Sequence, residues 1–370
     1  MHAEQVALKR MSAYNHRDLS QVLLSLENVG ASSGSSLRAA VDARLNAHRE
    51  WSEVPPQAIV DYARSSALSL RRQQQRGGGA DADASASSSM MQQACSAATQ
   101  AVTYLNMRQI EQLLQAVEVA YVRSGSGGSA TAGMPNAVSH LLGMISDVLR
   151  IRGLEGQQAG AVPTPAAHTA ASAASSGRSG DVDTSCRVLL HLLRLTTDAG
   201  TSSSTSRAAM LESMHSSARK LLSQNALSPE AASNLLLAFA LVEAKAKRSG
   251  AEMQFVESLA GVIERGAVSM SLFSTARALT ALLAFLGSPP LSQSSLGKKG
   301  NVSGKQDQSR ETEAVQRTCR LLADRLATSA QSGESLSGLL SPLALESLRK
   351  AVKDGGSSSG LSGHKLLGLL

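Results

Sequence analysis

Between Tyr14 and Gly30 the chain reads YNHRDLSQVLLSLENVG, with apolar residues at Leu19, Val22, Leu23, Leu26 and Val29. Spacings of three and four put these side chains on one stripe of an α-helix. Counted from Asn15, the same offsets return along the chain. From Asn106 they hold Ile110, Leu113, Leu114, Val117 and Ala120, and Arg108 matches Arg17. From Ser228 they hold Ala232, Leu235, Leu236, Phe239 and Val242; from Ser271, Thr275, Ala278, Leu279, Leu282 and Phe285. A stretch from Ser341 repeats the Ser-Pro opening of the Ser228 copy, and weaker copies begin near Pro56 and Val182. Ser228-Pro229 and Ser341-Pro342 are sound helix starts. A serine hydroxyl accepts from the free N–H groups of the first turn, and proline at the first helical position removes a donor that has no partner.

Second amphipathic segments lie between these helices: SLRAAVDARLNAHREW, MQQACSAATQAVTYL, AVSHLLGMISDVLRI, AAMLESMHSSARKLL, EMQFVESLAGVIERG and EAVQRTCRLLADRLA. The unit is therefore helix–turn–helix. Starts at 15, 56, 106, 182, 228, 271 and 341 are separated by 41, 50, 76, 46, 43 and 70 positions. Two Gly/Ala/Ser-rich tracts, of 28 and roughly 23 residues, fall in the long intervals, and their removal leaves 48 and 47. The expected fold is all-α: residues 1–370 form a single α-solenoid of about seven helical pairs, the last incomplete. Low-complexity insertions are expected to loop out at 77–89, 153–180 and 288–310, with a Gly/Ser linker at 354–363.

Composition agrees with helices. Aromatic residues are 2% of the 370, while hydrophobic residues are 42%. The apolar material is Leu, Ala, Val and Met, and the alternating β-branched runs of strands are absent. Cys95, Cys186 and Cys319 form no CxxC unit and are expected to be small apolar core side chains. No apolar run reaches the length of a membrane span, so no membrane insertion is expected. The N-terminal stretch lacks the apolar core of a secretory signal. Its Lys9, Arg10 and Arg17 suit an organellar presequence, whereas Glu4 and Asp18 do not. An intracellular protein is expected.

Motifs for chemistry are few. Gly30–Gly34 and Gly356–Gly360 match G-x-S-x-G, but neither lies between a strand and a helix as a nucleophile elbow requires. Ser217–Lys220 fits S-x-x-K inside an amphipathic helix without supporting motifs. The histidines, among them His16, His140, His191 and His215, make no H-x-x-x-H or H-E-x-x-H pair. Near Ser126, SGSGGSA lacks the Lys-Ser/Thr ending of a P-loop, and Asn301-Val302-Ser303 is a sequon without a secretory route. The expectation is a non-enzyme with no cofactor, no metal and no small-molecule substrate.

The helical repeat of about 41–50 residues is similar to HEAT and armadillo repeats. The wording NHRDLSQVLLSLENVG and LSPEAASNLLLAFALVEA resembles more closely the HEAT-like subunits of the mitochondrial RNA-editing substrate-binding complex. It also looks like the repeats of organellar RAP-domain and octotricopeptide proteins. The resemblance covers most of the chain outside the insertions, at the level of pattern, and the C-terminal GLSGHKLLGLL carries no RAP domain. It implies RNA-related work in a mitochondrion, within an RNA-processing or RNA-editing assembly of several protein subunits.

The formal charge is +7 and the isoelectric point about 9.5, which suits an anionic partner. With so few aromatics a base-stacking platform is not expected, which leaves cationic contact with phosphates. Basic residues gather near the C-terminal ends of A helices: Arg71, Arg72 and Arg76; Arg123; Lys245, Lys247 and Arg248; Arg349, Lys350 and Lys353. A helix C-terminus favours a cation by roughly 0.3–1 kcal/mol, which is the purely structural reason for such residues. In a stacked array the same ends also share one edge, making these ten the candidate RNA phosphate contacts. The first and sixth A helices lack a cluster, so the stripe is broken. A single RGG at Arg76 and the loop KKGNVSGK add little. Two functions stay open: a scaffold for RNA, with or without protein partners, and a protein-only adaptor of armadillo or HEAT type.

Overall fold

A computed structural model describes residues 8–30, 37, 40, 41, 43, 44, 54–75, 81–121, 134–154, 174–199, 204–243, 250–287, 303–331, 342–355, 361 and 364–369. Among the described residues the protein is all-α, without strands. The helices are α1 (His16–Val29), α2 (Pro56–Gln75), α3 (Asp81–Ala101), α4 (Met107–Tyr121), α5 (Asn136–Arg152), α6 (Ala174–Ala199) and α7 (Ser204–Ser223). They continue as α8 (Pro229–Glu243), α9 (Gly250–Gly266), α10 (Leu272–Gly287), α11 (Ser303–Gln331), α12 (Pro342–Gly355) and α13 (Lys365–Leu369).

Local chemistry sets where these helices begin. Asn15 and Asp18 form a reciprocal capping box: Asp18 N–H donates to Asn15 Oδ1 at 2.9 Å and Asn15 N–H to Asp18 Oδ2 at 3.3 Å. Asn106 and Gln109 repeat that box at 2.9 and 3.0 Å. Ser228 Oγ accepts from Ala231 N–H at 3.0 Å, and Ser271 Oγ from Ser274 N–H at 3.1 Å. Helix α1 ends on Gly30, whose φ of +79° is the left-handed turn that glycine adopts without a Cβ penalty.

A second device recurs just before the capped starts. The Arg44 guanidinium donates to the carbonyls of Met11 and Ser12, and that of Arg152 to Thr103 and Leu105 at 2.6 and 2.7 Å. Arg325 donates to the carbonyl of Met270. Each arginine serves carbonyls in the short turn that precedes Asn15, Asn106 or Ser271. The Met11 carbonyl also accepts from Tyr14 N–H at 3.3 Å, so there the arginine adds a second donor to an oxygen with two lone pairs.

The chain divides into two compact units. Unit 1 comprises residues 1–153, 157–159 and 195–213. In it α2 packs on α1, α3 and α4, and α3 packs on α5. Ile59, Tyr62, Met91, Ile110, Leu113, Leu114 and Leu141 fill its core. Unit 2 comprises residues 154–156, 160–194 and 214–370. There α8 packs on α9 and α10, α10 on α11 and α12, α9 on α11, and α11 on α13. Leu235, Leu236, Phe239, Leu259, Leu279 and Leu282 are buried at its centre.

The apolar stripe is buried at all five positions in α4 and in α10, and at four of five in α8, where Val242 is half-buried. Helix α1 departs from it. Leu26 is only half-buried and Val29 is 86% exposed, while Glu27, off the stripe, is 1% exposed. Helix α1 packs on α2, and the arc it buries takes in Leu19, Leu23 and Glu27 and not the end of the stripe. Glu27 takes the inward position because Arg72 meets its carboxylate there.

Helix also reaches into tracts expected to loop out. Helix α3 begins at Asp81 within 77–89, α6 at Ala174 within 153–180, and α11 at Ser303 within 288–310. In α3 the alanines of DADASASSS carry the highest helix propensity, so the helix extends into that tract at little cost. In the stretch 354–363, Asp354 and Gly355 end α12 and Leu361 is buried. Residues 76–80, 155–173, 288–302, 356–360, 362 and 363 of these tracts lie outside the described residues, as does most of the segment SLRAAVDARLNAHREW.

Candidate functional site

The ten basic candidates are met unevenly. Arg76, Arg123, Lys245, Lys247 and Arg248 lie outside the described residues. Arg71 is half-buried on α2. Arg72 turns inward: its Nη1 is 3.0 Å from Glu27 Oε2, and its Nη2 donates to the Glu27 main-chain carbonyl. Both ends of that guanidinium are spent on bracing α2 to α1. Arg349, Lys350 and Lys353 stand exposed on α12, whose opposite face buries Leu345, Leu348 and Val352. Among the described candidates, the α12 trio is the cluster held out to solvent, with Glu346 exposed beside it.

Of the remaining motifs, residues 31–34 and 356–360, the tract near Ser126 and Asn301-Val302 lie outside the described residues. Gly30 is the C-cap of α1, and Ser217 lies inside α7 with Lys220 exposed one turn on. No group of three His, Cys, Asp or Glu side chains gathers to hold a metal among the described residues. Burial pushes the thiols of Cys95 and Cys319 up to about 12, and that of Cys186 higher still. A thiol with so little thiolate at neutral pH is a poor nucleophile. No described helix is long and apolar enough to cross a membrane.

A concavity in unit 2 lies between the C-terminal half of α7 and helix α9. It is a cleft of about 710 Å³ lined by Arg219, Leu222, Phe255, Glu257, Val262 and Arg265. A recess of about 420 Å³ adjoins it, sharing Leu222, Val262 and Arg265 and reaching Asn225 and Pro229. Beneath Phe255 the His215 ring clusters with two phenylalanines, 4.0 Å from Phe239 and 4.7 Å from Phe255, which are themselves 5.4 Å apart, measured between centroids. These rings join α7 to α8 and α9 on the buried side, and the cleft opens on the other. Gly261 faces it without a side chain, which leaves room for the Arg265 guanidinium above the helix surface. Arg219 lies over Phe255, 6.0 Å from the ring centroid, and both arginines are exposed. Neither makes an ion pair with a carboxylate among the described residues.

Neither arginine is among the sequence-derived candidates, because both sit near the ends of second helices and not of the first helices whose ends were compared. One signal was present: a glycine inside ESLAGVIERG, where every residue but proline favours the helix more. In unit 1, a groove of similar volume runs along α1 past Tyr14, Val22, Leu26 and Val29.

No protein-family model matches the chain, and no curated protein matches it either. The class stands on the architecture itself: an all-α protein of packed amphipathic helices.

Proposed function

We propose that the protein is a non-catalytic binding scaffold, each of its two units a short α-solenoid. One observation carries this reading. Within each unit helices pack on their second neighbours as well as their first: α2 on α4 and α3 on α5 in unit 1, and α8 on α10, α10 on α12, α9 on α11 and α11 on α13 in unit 2. That is the contact order of stacked helix–turn–helix repeats, whose function is surface display. The repeat count of about seven belongs to the same proposal.

The setting proposed is a mitochondrial RNA-processing or RNA-editing assembly, in which the scaffold binds RNA, protein subunits or both. The positive balance and the exposed trio Arg349, Lys350 and Lys353 support contact with phosphates. The inward commitment of Arg72 weakens an unbroken basic edge and lends weight to the second reading, a protein-only adaptor. The test is purification of the tagged protein from the cells that express it, with and without RNase, followed by identification of proteins and of crosslinked RNA. RNA-processing partners, some released by RNase, support the leading reading. Partners unrelated to RNA and unmoved by RNase leave the adaptor, and a catalytic activity traced to the purified chain overturns both.

A further inference from the structure

We propose that the cleft between α7 and α9 binds an acidic segment of a partner protein, gripped by Arg219 and Arg265 across an apolar floor. The inference rests on the scaffold reading and names one of its sites.

The chemistry of the walls selects the ligand. Leu222 and Val262 supply an apolar surface, and Phe255, only 4% exposed, is covered by Arg219, His215 and Phe239 and offers no free face. A nucleobase therefore finds no ring to stack on. Glu257 stands on α9 with Arg265, whereas Arg219 comes from α7. A phosphodiester chain, charged at every link, would be repelled there. A polypeptide places neutral main-chain N–H groups between its acidic side chains, and Glu257 can accept from them. Gln254 and Ser258, exposed on α9, add polar contacts of the kind an extended backbone uses.

Spacing sharpens the match. Arg219 lies over Phe255, and Arg265 leans over Gly261. Six helical residues correspond to roughly 9 Å along α9. An extended chain covers that distance in about three residues. Because side chains of an extended chain alternate between faces, the fitting segment carries two carboxylates on one face, about two to four positions apart, with apolar side chains between them. Two guanidiniums without carboxylate partners among the described residues offer planar forks that bind carboxylates in bidentate fashion.

The experiment uses the full chain. A random dodecapeptide library is selected against it, and the enriched peptides are titrated by fluorescence anisotropy beside a labelled oligouridylate. Enriched peptides are expected to carry paired acids around leucine-like residues. Arg219→Ala and Arg265→Ala are each expected to weaken them by about tenfold, the scale of one lost charge-assisted hydrogen bond. Gly261→Leu fills the cleft from its floor and should abolish peptide binding while favouring the helix, so that loss cannot be ascribed to misfolding. Oligouridylate binding should be unchanged in all three variants. Peptides that bind wild type and all three variants alike would overturn the cleft assignment and leave the scaffold standing. Cleft variants that weaken oligouridylate and not the peptides would reassign the cleft to RNA. A wild-type chain that takes neither peptide nor oligouridylate would count against both the cleft and the scaffold.

Discussion

Two glycines five positions apart on α9 should respond to alanine with opposite signs. Gly261 is in the helix interior, and a Cβ placed there meets only the Arg265 Nη1 at 3.8 Å, an ordinary contact with the mobile end of a side chain. Gly261→Ala then gains what glycine forfeits in a helix, about 0.5–1 kcal/mol. Gly266 ends the same helix where it meets the start of α8. A Cβ there would overlap Pro229 Cγ outright and lie 3.0 Å from Pro229 Cβ. The proline ring has no rotamer with which to withdraw, since its φ is locked by the ring and it forms the first turn of α8 beside the Ser228 cap. Overpacking of this kind costs about 1–3 kcal/mol, more than the propensity gained at a helix end. For a unit of this size, 1 kcal/mol moves Tm by about 2–4 °C. Thermal melts of the full chain followed by far-UV circular dichroism should show Gly261→Ala above wild type and Gly266→Ala below it. A Gly266→Ala chain as stable as wild type would refute the close approach of α9 to Pro229. A destabilised Gly261→Ala chain would refute the open cleft above Gly261.

Two further outcomes follow from charged groups. Arg72→Ala strips the guanidinium from a Glu27 carboxylate that is 1% exposed, at a cost of about 2–3 kcal/mol, reduced because Arg72 keeps part of its surface in water. Urea unfolding should show the loss, and affinity for oligouridylate should not change; an RNA defect without a stability defect would mean Arg72 is free to reach phosphate. Burial raises the Asp183 carboxyl above its ordinary value of 3.8, against the opposing effects of the Ser228 hydroxyl, 2.6 Å away, and of Arg187. The folded state therefore holds that proton more tightly than the unfolded one, and stability falls as pH rises from 3.8 through the raised folded value. Asp183→Asn keeps an acceptor for Ser228 and removes this cost. Its melting temperature should exceed that of wild type at pH 7 and converge with it below pH 3.8; a variant less stable at pH 7 would refute the sign.

The helices and their starts were legible along the chain because they depend on groups within a turn of one another. Asn15 with Asp18, Asn106 with Gln109, Ser228 with Ala231 and Ser271 with Ser274 are all three residues apart. The stripe of α4 and α10 likewise follows from a period of 3.6 and is buried throughout. Tertiary packing decided what no local pattern contains. Arg72 and Glu27 are 45 positions apart, Arg152 and Leu105 are 47, and Arg325 and Met270 are 55, so a basic residue at a helix end becomes a brace or a surface charge only once its neighbour is in place. Val29 shares the register of buried residues and is exposed because no described helix covers that side of α1. The Arg219–Arg265 cleft exists because α7 and α9 meet through His215 and Phe255 and leave Gly261 uncovered, a space that belongs to the distance between helices and to no residue alone.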